Sequence, residues 1–225
     1  MASTSVSGQA RAPNWRANAL VLAAVAITYA SSFWPTPELR DFVLTRLHLT
    51  SYEGWGILVP HVLLYTTVMA ALAAAFWYAF ARAGWLPDPP LGNLRRALVP
   101  GLVAGIVALL VSIATAFLFF PPGMVHWIDP DPWKIAGNIF SNFYEEFVWR
   151  GFLLFGLRKL IGFWPAAVVS AASWAVFHTQ YPLSGQLLIF AVGVGFAWLV
   201  RKTNSLWAPY VAHEVLDIVG DSLIG

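Results

Sequence analysis

The chain has no cysteine and few charged residues. Of its 225 residues none is Cys, and Asp, Glu, Lys and Arg together make up only 11%, against about 25% in soluble proteins. The absence of cysteine excludes disulfide bonds, thiolate metal sites and cysteine nucleophiles, so catalysis would have to use carboxylates, histidines or hydroxyls. There is also no long polar stretch, no interdomain linker, no internal repeat and no glycine-rich phosphate loop. These absences argue against a secreted enzyme and a disordered tail.

Apolar residues are abundant instead. They make up 59% of the chain, and the mean hydropathy is +0.66, which is typical of a membrane protein. Apolar runs of roughly 17–25 residues predict seven membrane spans. These are 18–34, 55–80, 97–120, 133–157, 163–179, 183–200 and 207–224. We therefore expect an all-α, polytopic transmembrane bundle that forms a single membrane domain over residues 1–225.

The first apolar run allows two interpretations. Arg11 and Arg16 precede it as in a signal peptide, and a loose cleavage-site pattern falls at 28–30. Trp34-Pro35 is more typical of an interfacial stop with an aromatic anchor, so we expect a retained span. The following segment, 35–54, mixes charged and apolar residues at helical spacing and predicts a short amphipathic helix at the membrane surface.

Lysine and arginine separate between alternate loops. One set of loops holds nine of the thirteen: Arg11, Arg16, Arg82, Arg95, Arg96, Arg158, Lys159, Arg201 and Lys202. The other set holds Arg40, Arg46 and Lys134, while Arg150 falls inside a span. Because Lys and Arg near span ends stay in the cytoplasm, we expect a cytoplasmic amino terminus, an outer loop at 121–132 and an outer carboxyl terminus. The pI near 9.0 then reflects topology, so no nucleic-acid partner is expected, and a bacterial plasma membrane is the simplest compartment.

Ionisable residues inside the predicted spans are the candidates for chemistry. Each charge at membrane depth costs about 2.5–3.5 kcal/mol, so a functional role is the first interpretation. The fourth span carries Asn142, Glu145, Glu146 and Arg150; the fifth ends at His178; the seventh carries His213, Glu214 and Asp217. We expect these residues, which come from three spans, to converge inside the bundle.

Helical spacing assigns partners within these spans. Glu146 and Arg150 are four residues apart and can pair, which leaves Glu145, turned by about 100°, free to face a cavity as a base toward water. The alternative is that both carboxylates form a structural ion-pair network with Arg150. His213 and Asp217 are again four residues apart, so the carboxylate can orient the imidazole or share a ligand with it.

A tryptophan lies on the same helical face as the first of these histidines. Trp174 precedes His178 by four residues, so its indole can form a wall beside the imidazole or donate a hydrogen bond through its N–H. The small-residue pairs Gly101 with Gly105 and Gly193 with Ala197 predict close helix packing.

Three motifs in successive apolar segments resemble one known family. Glu-Glu-x-x-x-Arg at 145–150, an aromatic-x-x-x-His at 174–178 and His-x-x-x-Asp at 213–217 resemble the CPBP intramembrane proteases, which include the type II CAAX prenyl endopeptidases and their bacterial Abi relatives. The resemblance implies a four-helix catalytic core over about 130–224, preceded by spans and loops in 18–129. The short, seven-span layout also resembles the subgroup associated with exosortase and sorting systems.

This resemblance implies hydrolysis of a peptide bond in a membrane-anchored, prenylated or C-terminally processed protein, without a cofactor. Glu145 with His178 would activate water, His213 with Asp217 would lie at the developing oxyanion, and Glu146 with Arg150 would hold the site together. Asn142 and Trp174 are the candidate substrate-binding residues. Two positions depart from the family pattern, since Trp174 replaces a usual Phe and Asp217 replaces a frequent Asn; an ionised Asp cannot donate a hydrogen bond to an oxyanion.

Three other functions use the same residues. Two histidines and the carboxylates could hold Zn²⁺ with a position open for water, although no His-Glu-x-x-His is present. A membrane immunity or binding protein could keep the cluster for packing or partner recognition. A proton-coupled transporter would use it as a relay, but the chain shows no internal symmetry.

Depth in the membrane is a difficulty for any single site. From the cytoplasmic ends of the predicted spans, Glu145 lies about 18 Å deep, His178 about 22 Å and His213 about 9 Å. Straight upright helices would not bring the three together. The site therefore requires a tilted fifth span, a different start for the seventh, or unwinding near Pro209.

Overall fold

The described part of the chain is helical, as the sequence predicts. The computed structural model describes residues 15–32, 37–49, 53–72, 78–84, 91–119 and 131–220. The helices are α1 (Trp15–Ser32), α2 (Pro37–Arg46), α3 (Trp55–Leu72), α4 (Tyr78–Arg82), α5 (Leu94–Phe119), α6 (Pro132–Glu145), a π-helical segment (Glu146–Leu154), α7 (Phe155–Ile161), α8 (Phe163–Phe177), α9 (Leu183–Thr203) and α10 (Trp207–Gly220). The all-α class is confirmed, and α2 lies within the predicted amphipathic segment. Most of the predicted outer loop, 120–130, is outside the described residues.

Two of these helices are long and apolar enough to cross a membrane by themselves. They are Leu94–Phe119 and Leu183–Thr203. Asn18–Ala30 and Phe163–Phe177 are apolar but shorter. The count of seven spans therefore stays a prediction. The outer face of α5 is strongly apolar, with Val99 and Leu110 at 65% and 60% exposed, as expected of a surface that faces lipid.

Contacts between helices set their directions. Trp55 in α3 packs on Trp133 in α6, and Tyr65 packs on Tyr144 about three turns further along both helices, so α3 and α6 run parallel. In α1, Ala24 lies beside Gly156 of α7, whereas Tyr29 bonds to Ser173 near the end of α8. The α1 helix thus runs parallel to α8 and antiparallel to α7.

Helices α5 and α10 pack closely through glycine. A Cβ on Gly101 would lie 2.7 Å from the Ala208 carbonyl oxygen, and a Cβ on Gly105 would lie 2.7 Å from Val215 Cβ. The prediction of close packing through this pair is confirmed, since no larger residue fits without a shift. The two helices run parallel, and Gly101 lies opposite a residue in the first turn of α10.

The second predicted small-residue pair is also at a helix contact. A Cβ on Gly193 of α9 would lie 2.9 Å from Ala171 Cβ and 3.1 Å from the Trp174 ring in α8. Ala197, one turn further along, is buried in a cluster with Leu154, Ala166 and Ala167. The contact between α8 and α9 therefore fixes the position of the Trp174 indole.

A tight loop contact holds the start of α10. Leu206 N–H and Ser205 Oγ both donate to the Leu91 carbonyl, at 2.9 and 3.0 Å. Next to it Gly92 has φ +81°, and a Cβ there would overlap Ser205. Only glycine combines this backbone conformation with this close approach.

Gly92→Ala should therefore destabilise the protein by about 2 kcal/mol or more, from left-handed backbone strain together with the overlap on Ser205. The measurement is the free energy of unfolding by reversible detergent denaturation. Gly84→Ala is the matched control, because Gly84 has φ +68° but open space around its Cβ position. Equal losses for the two variants would show that the contact with Ser205 adds nothing.

Candidate active site

A buried ion pair lies at the centre of the bundle. Arg150 Nη1 donates to Glu146 Oε1 at 3.0 Å, and the two side chains are 0% and 1% exposed. His213 Nδ1 lies 3.0 Å from the same oxygen, so it donates from α10 to the ionised carboxylate. The predicted Glu146–Arg150 pair is therefore present, and it also holds the His213 ring.

The pair lies in a local departure from α-helix geometry. The residues from Glu146 to Leu154 form a π-helical segment between α6 and α7, where hydrogen bonds run from i to i+5 and the turn is wider. The Trp149 carbonyl accepts a hydrogen bond from Ser170 Oγ of α8 at 2.8 Å. The sequence predicted an uninterrupted α-helix here, whereas in the structure Glu145 is the last α-helical residue and Glu146 the first of the wider turn.

The Trp174 indole connects the other site residues. Its Nε1–H donates to Glu145 Oε2 at 2.6 Å, and the Arg150 guanidinium lies 4.2 Å from its ring centroid. The His178 and His213 rings both meet it edge to face, with centroids at 5.2 and 5.3 Å. Trp174 thus acts both as the wall beside His178 and as the hydrogen-bond donor that the sequence left open.

One cavity of about 430 Å³ brings most of the predicted residues together. Six of the eight line it: Asn142, Glu145, Trp174, His178, His213 and Asp217. Glu146 and Arg150 do not line it and are fully buried behind it. Glu145 therefore faces the space that a water or a substrate would enter, whereas Glu146 and Arg150 position the residues that line it.

The structure brings the site residues together in spite of their predicted difference in depth. His213 of α10 lies 3.0 Å from Glu146. Helix α8 ends at Phe177, so His178 and the following residues to Pro182 are non-helical. Helix α8 has 15 residues, or about 22 Å, which is shorter than the roughly 30 Å hydrocarbon core. Helix α10 begins at Trp207, the predicted start of the last span, and Pro209 lies within it, so neither a different start nor unwinding near Pro209 is observed.

Hydrogen bonding fixes the proton on His178. Its Nδ1 lies 2.8 Å from the Trp174 carbonyl oxygen, which can only accept. Nδ1 must therefore carry the proton, and the neutral ring presents Nε2 as an acceptor. This nitrogen suits an interaction with a water molecule or another donor.

Asp217 and Asn142 flank His213 and Glu145 in the cavity wall. The Asp217 Oδ2 atom is 3.6 Å from His213 Nε2, too long for a direct hydrogen bond but close enough to favour a cationic imidazole. Asn142 is 3% exposed, and its side chain is paired with the Glu214 carboxylate of α10. Glu214 also pairs with Tyr210, so it lies against another helix beside the site.

Several cavity residues escaped the sequence analysis. They are Tyr65, Ser112, Lys134, Asn138, Ser141, Gln180 and Tyr181. Three of them, Lys134, Asn138 and Ser141, recur at intervals of three or four residues before Glu145 on α6. That polar stripe was visible in the sequence and could have been identified from helical spacing.

A metal ligand set is not assembled among the residues that the structure describes. No three His, Asp or Glu side chains there are grouped closely enough to hold a metal ion. His213 also has one ring nitrogen committed to Glu146. The zinc alternative would therefore require side chains to move.

Trp174→Phe tests the hydrogen bond to Glu145 while keeping an aromatic ring. A hydrogen bond to a charged group contributes about 1.5–3 kcal/mol, so we expect peptide hydrolysis to fall about 10- to 100-fold with the fold retained. Trp198→Phe on the exposed face of α9 is the matched control and should keep full activity. Unchanged turnover in Trp174→Phe would show that the indole N–H does not orient the base.

Comparisons with known proteins match the part of the chain that contains this site. Residues 132–219 match the family model for type II CAAX prenyl endopeptidase Rce1-like proteins. The chain is also similar to "Putative membrane peptidase YdiL" of Bacillus subtilis (strain 168), with 28% identity over 83 residues. That match covers 37% of this chain and 33% of the relative, so the similarity spans about a third of the relative's length. No solved structure matches.

These matches identify a membrane protein. Residues 132–219 are similar to the CAAX proteases, and the resemblance expected from the three motifs is confirmed. The narrower resemblance to an exosortase-associated subgroup stays a prediction.

Proposed function

We propose that the protein is an intramembrane endopeptidase that hydrolyses a peptide bond with water activated by Glu145. The observation that carries the proposal is the placement of the Glu145 carboxylate on the cavity wall, with one oxygen held by Trp174 and both site histidines around the same indole. A fixed carboxylate in a water-accessible cavity is suited to general-base catalysis. The family of residues 132–219 supports the same activity.

The proposed reaction begins with a water bound between Glu145 and His178 Nε2. Glu145 takes a proton from this water as its oxygen attacks the carbonyl carbon, and a tetrahedral intermediate forms. The oxyanion lies near His213 Nε2–H of a cationic imidazole, held between Glu146 and Asp217. Glu145 then gives its proton to the leaving nitrogen as the C–N bond breaks, which yields a carboxylic acid and an amine.

This mechanism resolves the question about Asp217. Because His213 can supply the donor itself, an ionised Asp217 need not donate; it favours the protonated imidazole by its negative charge. Asn142, within the cavity wall beside Glu214, provides a further polar group for a substrate amide. Glu146 and Arg150 act as positioning residues.

The proposed mechanism uses no metal, and chelation tests this directly. Hydrolysis of a CAAX-like reporter peptide by the purified protein in detergent should be unchanged by EDTA or 1,10-phenanthroline. Loss of activity with chelator, restored by Zn²⁺, would favour the zinc alternative and overturn the glutamate mechanism. A non-catalytic binding protein would hydrolyse no reporter under either condition.

The proposed setting is a bacterial plasma membrane with the amino terminus in the cytoplasm. The substrate class is a membrane-anchored protein, prenylated or processed near its carboxyl terminus. The support is the charge asymmetry of the loops and the family of the C-terminal segment.

A further inference from the structure

The structure places eight lysine and arginine residues near helix termini at one end of the bundle: Arg16, Arg82, Arg95, Arg96, Arg158, Lys159, Arg201 and Lys202. Of the other described ones, Arg40 and Arg46 lie in α2, Lys134 lies in the first turn of α6, and Arg150 is buried. Sequence alone assigned the eight to alternate loops, and contacts between helices decide whether they share an end.

Helices α5, α8, α9 and α10 join at this end. The Leu91 carbonyl, just before α5, accepts the hydrogen bond from Leu206 at the start of α10. Arg201 in the last turn of α9 lies 5.1 Å from the ring of Phe163, the first residue of α8. Four segment ends therefore meet here, and two of them, the start of α5 and the end of α9, carry cations.

The cations of α1, α4 and α7 lie at the same end. A Cβ on Gly156 of α7 would lie 3.8 Å or less from side-chain atoms of Val21, Ala24 and Phe80. Arg16 precedes Val21 in α1, and Arg82 follows Phe80 in α4. The last turn of α7 contains Arg158 and Lys159, and only Gly162 separates α7 from α8.

The cavity is lined by the opposite ends of the helices. Lys134 lies in the first turn of α6, His178 follows the end of α8, Gly185 lies in the first turn of α9 and Gly220 ends α10. Among the lining residues, Lys134 and Gln180 are exposed, and both lie at these ends. The access to the site is therefore at the end away from the cationic cluster.

The non-helical segment 178–182 supports the same direction of access. Irregular backbone at membrane depth is tolerated where it is buried in protein or lines a water-filled space. This segment follows a helix too short to cross the bilayer, and Gln180 and Tyr181 within it line the cavity. Water thus enters from the side where α8 ends.

Since a cluster of lysine and arginine marks the cytoplasmic end of membrane helices, we infer that the cavity opens on the non-cytoplasmic face and receives a polypeptide segment already exported to that face. This inference rests on the proposed peptidase function and names its substrate class: an anchored protein whose scissile segment lies outside the cytoplasm. A tail that stays in the cytoplasm would meet the closed, cationic end of the bundle.

Cysteine labelling tests the direction of the cavity, because the chain has no cysteine of its own. Gln180→Cys places a thiol at the cavity mouth, and Ala83→Cys places one in the exposed turn next to Arg82. A charged, membrane-impermeant maleimide is applied to right-side-out and to inverted membrane vesicles. We expect Gln180→Cys to be labelled several-fold more in right-side-out vesicles and Ala83→Cys several-fold more in inverted ones. The opposite pattern, or no difference between the two vesicles, would overturn the inference.

The same variants separate this inference from the proposed activity. Labelling in detergent checks that each thiol reacts, and a Glu145→Gln background should leave both patterns unchanged because labelling requires no turnover. A single-span reporter that carries the same cleavable tail on either side of the membrane then tests the substrate class. We expect cleavage of the exported tail only. Cleavage of the cytoplasmic tail would contradict the inference but not the peptidase function, whereas a normal labelling pattern with neither tail cleaved would count against the function.

Discussion

Glu145→Gln should abolish peptide hydrolysis while the protein stays folded. Glutamine keeps the volume and the acceptor for the Trp174 N–H, but it cannot accept a proton from water. We expect turnover to fall by at least about 10²- to 10⁴-fold, the usual contribution of a positioned general base. The measurement is reporter cleavage by purified protein in detergent, with thermal unfolding followed on the same samples.

The same substitution at the neighbouring glutamate, Glu146, is the comparison that makes this result specific. Glu146→Gln removes a carboxylate that the cavity does not contact but that holds Arg150 and His213. We expect this variant to lose stability as well as activity, whereas Glu145→Gln should lose activity alone. Equal cleavage by wild type and Glu145→Gln would sink the assignment of Glu145 as the base.

Arg150→Met should be among the most destabilising single substitutions in the chain. It leaves the Glu146 carboxylate, which is 1% exposed, without its charged partner. Breaking a buried ion pair from one side costs about 3–5 kcal/mol. The free energy of unfolding by reversible detergent denaturation is the quantity to measure, and Arg96→Met at an exposed position is the matched control.

The double variant Glu146→Gln/Arg150→Met distinguishes this ion pair from simple packing. Removing both charges avoids the isolated buried carboxylate, so the double variant should be more stable than Arg150→Met. If the two losses simply add, the charge pairing contributes nothing beyond volume. Activity should stay low in the double variant because His213 then meets a neutral amide instead of the Glu146 carboxylate.

Much of the chemistry could be predicted from residue spacing. The four-residue interval between Glu146 and Arg150 predicted their contact, and the same interval predicted that the Trp174 indole would lie beside the His178 ring. These predictions succeeded because helical geometry relates residues within one element, whatever the rest of the fold does.

Contacts between different helices could not be predicted from residue spacing. Trp174 and Glu145 are 29 residues apart, and Glu146 and His213 are 67 apart; no periodicity within one helix relates them. The π-helical segment also escaped prediction; within it the Trp149 carbonyl accepts a hydrogen bond from Ser170 of another helix. The roles of the site residues as catalytic groups stay predictions.

The sequence by itself determined the all-α class, the membrane character and the three motifs, because these depend on composition and local spacing. The tertiary structure decided between the two alternatives that spacing left for Glu145: it lines the cavity and Glu146 does not, since this depends on how α8 and α10 pack against the π-helical segment. It also decided the register of α5 against α10, because contacts between distant helices do not follow from local spacing; the two helices pack closely at Gly101 and Gly105. In this arrangement His213 of α10 reaches Glu146, and the cavity lies at the end away from the cationic cluster.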